Sequence, residues 1–82
     1  KNIGGKKILS KTVSVNTIES EIAKNLEDIQ NKFNTIDIGS YPFFKQGKIG
    51  VAIVIRSTEE DLISRCYRDI ENFVKKQNIT IV

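Results

Sequence analysis

The sequence predicts an α+β domain, a two-layer βαββαβ sandwich of ferredoxin-like type. Two stretches carry a single apolar stripe at helical spacing, and the stretches around them alternate with a period of two. The chain is 82 residues long, which suits one domain near the lower end of what can bury its own core. Helices with one apolar stripe each, and a sheet apolar on one face, fit helices packed on one side of that sheet with right-handed crossovers. About twenty apolar side chains would face that layer, and burying each contributes roughly 1.5 to 3 kcal/mol.

The first strand is expected over residues 7–15, where Leu9, Val13 and Val15 fall on one side and Ser10, Thr12 and Ser14 on the other. Lys11 alone interrupts the apolar row. Asn16 with Glu19 resembles a capping box, and Ile18, Ile22, Leu26, Ile29 and Phe33 then recur on one helical face. A short strand over 35–41 should stop at Pro42, which lacks an amide donor and holds Tyr41 extended. Residues 45–48 have turn character through Gly47. The next run, 49–56, is the most β-prone in the chain and places Ile49, Val51, Ile53 and Ile55 on one face, as a central strand would.

Ser57 with Glu60, or Thr58 with Asp61, can cap a second helix. Its stripe is Leu62, Cys66, Ile70, Phe73 and Val74, flanked by Ile63 and Tyr67, and Lys75 and Lys76 suit the negative end of its dipole. The helix should end between Phe73 and Gln77, with Asn78 as the exit and residues 79–82 as a final short strand.

Composition narrows the functional classes. Thirteen Lys and Arg against ten Asp and Glu give a net charge of +3. That excess is spread along the chain apart from Lys1, Lys6, Lys7 and Lys11, which argues against a nucleic-acid partner needing clustered bases on one face. No apolar run approaches the roughly 18 residues of a membrane span, so no membrane partner is expected. One cysteine allows no internal disulfide, which fits a cytoplasmic location. Without histidine or methionine, the chain lacks the commonest neutral-pH base and, beginning at Lys1, reads as a piece of something longer.

The remaining features weigh toward binding. Glu59, Glu60 and Asp61 could attract a hard cation, but they fit the first turn of a helix, where the dipole stabilises negative charge. Cys66 lies on an apolar stripe with no histidine to activate it. An RNA-recognition sheet would need aromatics opposite Ile49, Val51, Ile53 and Ile55, where the chain has Gly50, Ala52, Val54 and Arg56. Together with Ser10, Thr12 and Ser14 these make a flat, weakly polar surface suited to another domain or subunit. Tyr41, Phe43 and Phe44 are its candidate anchors and Lys45 and Lys48 its polar rim, unless the aromatics fold back over their own hairpin. For a small regulatory ligand the sequence offers only Gly39, Gly47 and Gly50 as points of close backbone approach.

A family resemblance adds to this reading. The opening Gly4-Gly5, the run Ile8-Leu9-Ser10-Lys11-Thr12-Val13, the stretch Ile38-Gly39-Ser40-Tyr41-Pro42-Phe43-Phe44 and the strand Val51-Ala52-Ile53-Val54-Ile55-Arg56 resemble the competence/damage-inducible protein A family. The resemblance is to the segment after its molybdopterin-binding-like domain. It implies a non-catalytic accessory domain, described in that family as KH-like, so a KH-like fold and a nucleic-acid-binding module are the alternatives. A KH loop joins two helices, however, whereas Gly47-Lys48-Ile49-Gly50 lies between two expected strands. The resemblance further implies a parent that hydrolyses ADP-ribose or FAD-like dinucleotides with a divalent metal, using a glycine-rich, threonine-containing loop with acidic residues. No such loop occurs in this chain, so no catalytic, cofactor-binding or metal-binding residue is expected in it. The implied partner is the parent's catalytic domain, a sister subunit, or both.

Overall fold

The computed structural model describes residues 7–81, so Lys1, Gly4-Gly5, Lys6 and Val82 lie outside the described residues. The elements run β1 (Leu9–Val15), α1 (Glu19–Lys32), β2 (Asp37–Lys45), β3 (Lys48–Ser57) and α2 (Glu60–Lys76). The sheet order is β1-β3-β2, with β3 central and antiparallel to both neighbours. Both helices cover one face, α1 against β2 and α2 against β1 and β3. This is the expected α+β arrangement. Its order has no adjacent pair of helices for a KH loop to join, and Gly47-Lys48-Ile49-Gly50 forms the β2–β3 turn and the start of β3.

The core follows the predicted stripes with a shift on α2. Ile18 and Ile49, expected on apolar faces, are instead 46% and 51% exposed, because Ile18 is the N-cap of α1 and Ile49 lies past the end of β1. Val13 and Val15 of β1, Val51, Ile53 and Ile55 of β3, and Ile22, Leu26 and Ile29 of α1 are buried. On α2 the buried line is Ile63, Cys66, Ile70 and Val74, while Leu62, Tyr67 and Phe73 flank it half-buried. Lys11, the interruption in the β1 row, sits at the margin with its ammonium 4.4 Å from the centre of the Tyr67 ring. That cation–aromatic contact explains how a lysine stays on the helix-covered face.

Four local expectations are corrected. Neither capping box forms, because the N-cap residues are Ile18 and Glu59 and neither caps through its side chain. Asn16 instead gives its backbone N–H to the Thr80 carbonyl at 2.8 Å, and Ser57 Oγ accepts the Glu59 N–H at 3.0 Å. The final strand is represented among the described residues by one antiparallel bridge, Val15 to Ile81, on the edge of β1 where a ferredoxin-like fold places its fourth strand. Asn78, at a φ of 59°, closes α2: its N–H reaches Lys75 O and that of Ile79 reaches Val74 O. These are the paired bonds of a Schellman motif.

The fourth correction is that β2 does not stop at Pro42 but continues to Lys45. Gln46 and Gly47 both have positive φ, 53° and 77°, as a two-residue type I′ turn requires. Such a turn is closed by a hydrogen-bonded pair, here Lys45 and Lys48, and bonded pairs alternate with unbonded ones along the ladder. Pro42, opposite Val51, therefore falls in an unbonded pair on an edge strand, where its missing N–H costs no ladder bond.

Candidate functional site

Because β2 runs unbroken through Pro42, alternation distributes its side chains to two faces. Ile38, Ser40, Pro42 and Phe44 lie opposite Ile55, Ile53, Val51 and Ile49, the helix-side row. Gly39, Tyr41, Phe43 and Lys45 lie opposite Val54, Ala52, Gly50 and Lys48 on the open face, and Ser10, Thr12 and Ser14 extend it across β1. Four of the five candidate interface residues, Tyr41, Phe43, Lys45 and Lys48, therefore share the open face. Phe44 belongs to the other row, beyond the reach of the helices, and is 72% exposed.

The two open-face aromatics rest on glycines. A methyl group at Gly50 would lie 2.7 Å from Phe43 Cε1 and 2.9 Å from the Val15 carbonyl oxygen. At Gly39 it would meet the Tyr41 hydroxyl at 2.9 Å. Phe43 is thus folded onto its cross-strand partner, and Tyr41 leans back along its own strand while staying half exposed. The open face is consequently not free of aromatics, contrary to the reading of β3 alone. The omitted signal was the pairing of β2 beside β3: the alternation that continues through Pro42 to a two-residue turn puts both rings there.

Charge marks the two ends of this face differently. Arg56 and Asp37 face each other at one end, 3.7 Å apart and well exposed, a pair that contributes little in water. At the other end Lys45 and Lys48 are directly opposed. No carboxylate occurs anywhere between Asp37 and Glu59 in the sequence.

On the helix-covered side, Gln30 ties α1 to the outer edge of β2. Its Nε2 donates to Ile36 O at 2.6 Å and to Phe33 O at 3.2 Å, while its Oε1 accepts the Ile38 N–H at 3.2 Å. Ser40 Oγ donates to a carboxylate oxygen of Glu19 on the first turn of α1. These contacts fix the half of β2 that lies under the helix and end before Pro42.

The residues with potential for chemistry are dispersed. Among the described residues no group of three His, Cys, Asp or Glu side chains could hold a metal ion, and Glu60 and Asp61 lie in the first turn of α2 as the dipole favours. Cys66 is fully enclosed, and burial, followed by the charge of Asp69, pushes its thiol up to about 11. A thiol so placed is a poor nucleophile at neutral pH. Among the described residues no helix is long and apolar enough to cross a membrane.

Residues 7–82 match a family described as FAD synthase, middle domain, which is nearly the whole chain. No curated protein matches, nor does any solved structure.

Proposed function

The chain belongs to the FAD synthase middle-domain family, and on that premise we propose that it is a non-catalytic accessory domain that packs, through the open face of its sheet, on the nucleotide-processing domain of its parent. The observation that carries this reading is the asymmetry of the sheet. One face is closed by two helices, while the other presents small side chains, Thr12, Ser14, Ala52 and Val54, beside a half-exposed Tyr41. Small residues let a second backbone approach closely, and a rigid aromatic is an effective anchor. A middle domain has neighbours in its own chain, which makes a flanking catalytic domain the first occupant to test and a sister subunit the second.

The resemblance to the competence/damage-inducible protein A family sharpens this proposal. It gives the parent a molybdopterin-binding-like domain that hydrolyses ADP-ribose or FAD-like dinucleotides with a divalent metal, in the cytoplasm. In this reading Tyr41 anchors the interface and Lys45 and Lys48 form its polar rim, while Phe44, on the other row, contributes only if the hairpin end is enclosed as well.

The test compares metal-dependent hydrolysis of ADP-ribose and FAD by the parent protein with and without residues 1–82, both shown to be folded by circular dichroism. A third protein carries Thr12→Arg and Tyr41→Ala in the intact parent. Loss of turnover on deletion, reproduced by the double variant, supports docking through the open face. Full turnover in both removes the accessory role, and salt-sensitive binding of RNA by the isolated domain would favour the nucleic-acid alternative instead.

A further inference from the structure

At the turn end β2 and β3 run on past the last residue of β1, and the step left behind forms a hollow of about 300 Å³. Val15, the end of β1, lies opposite Val51, so residues 48–50 have no strand beside them on that side. The ladder fixes which backbone groups face the step. Lys48 and Gly50 point their N–H and C=O toward β2, so Ile49 points its own the other way. The floor of the hollow thus contains an open backbone amide. The Phe43 ring, held over Gly50, forms an apolar wall, and Asn16 and Thr80 close the far side.

Two lysines stand at this hollow. Lys45 and Lys48 are the directly opposed pair that closes a type I′ turn, and like charges in that relation repel. Among the described residues neither enters an ion pair. The stretch between Asp37 and Glu59 supplies no carboxylate to relieve them. An anion between the two ammonium groups turns the repulsion into attraction on both sides, and charge-assisted hydrogen bonds are the strong ones.

We propose that this hollow binds a nucleotide, with phosphate between Lys45 and Lys48, the Ile49 N–H as a further donor, and the base against Phe43. A recessed apolar wall beside a few convergent polar groups is the usual composition of a small-molecule site. Stacking of a base on an aromatic ring is tolerant of base identity, so the class of ligand is a nucleotide in general. The inference goes beyond the docking reading, with which it shares Lys45 and Lys48 at the rim of the open face.

The test is a two-dimensional amide NMR titration of the 82-residue chain with ADP, with adenosine and with inorganic pyrophosphate. ADP should shift the amides of Ile49, Gly50 and Lys48 saturably, pyrophosphate should shift the same set with weaker affinity, and adenosine alone should not saturate. Replacing both lysines, Lys45→Gln with Lys48→Gln, should weaken ADP roughly tenfold or more with the resonances of Val13 and Ile53 unmoved. Phe43→Leu should weaken ADP but leave pyrophosphate unchanged. The proposal is overturned if ADP produces no saturable shift, if its shifts follow other surface lysines, or if the double lysine variant binds as tightly as the parent sequence. Binding of pyrophosphate as tight as that of ADP would overturn the base contact and leave an anion site.

Discussion

Ile53 and Ile49 stand on one row of one strand, with the same side chain and the same facing direction, yet Ile53 is fully buried and Ile49 is 51% exposed. The difference lies in what covers them. The base of the β2–β3 hairpin is roofed by two helices and tied down by Gln30, whereas its turn end projects past β1 and carries Phe44, Ile49, Lys45 and Lys48. The base holds the fold and the turn end is exposed. A hydrophobic residue in a strand pattern is therefore part of the core only where another element reaches it.

The sharpest way to break this comparison is to truncate the base. Ile53→Ala should destabilise the domain by about 2 to 5 kcal/mol, measured by urea unfolding; a loss within about 0.5 kcal/mol, ordinary for a surface site, would dissolve the distinction. Cys66 probes the same enclosure from α2. Burial raises its pKa from 9.0 to about 11, so the folded state holds the proton more tightly than the unfolded one. Its stabilising contribution is complete below about pH 9 and is lost as pH rises toward 11. Unfolding measured across that window should lose stability more steeply in the native sequence than in Cys66→Ala, and equal slopes would place the thiol in contact with water.

Smaller effects locate the boundary between the two regions. Gln30→Ala leaves the Ile36 carbonyl and Ile38 N–H without their partner and should cost about 1 to 3 kcal/mol, with faster amide exchange at Ile38. Unchanged exchange there would show that Gln30 does not hold the base of β2. Phe44→Ala and Ile49→Ala should each change stability by no more than about 0.5 kcal/mol, despite removing large apolar side chains. A core-sized loss at either position would mean that the turn end is packed and not projecting.

Much of the fold was legible because periodicity reports which face of an element is apolar. The alternation of Val13 and Val15, the run Val51-Ala52-Ile53-Val54-Ile55 and the stripes through Ile22, Leu26 and Ile70 each found their place in the core. The capping boxes misled because a side chain three residues from a carboxylate caps only if the chain turns there. Asn16 was instead drawn into pairing with Thr80, residues that are distant in sequence. Pro42 misled because its cost depends on whether its amide would have faced a neighbouring strand, which local sequence does not state. The candidate site was legible as a stretch, 41–48, but not as two surfaces. The separation of Phe44 from Tyr41 and Phe43 needed the length and register of β2.

The sequence alone determined the class of fold and the order of its elements, since these depend on local pattern. Only the tertiary structure decided that β2 extends to Lys45, that Phe43 covers Gly50, and that a hollow opens between the turn and Thr80. The hollow depends on Thr80 and Ile81 meeting the end of β1, far away in the chain, and the other two on the register of the β2–β3 hairpin, which exists only once the strands pair. Register and the reach of the helices set those pairings, and neither is contained in any single stretch of residues.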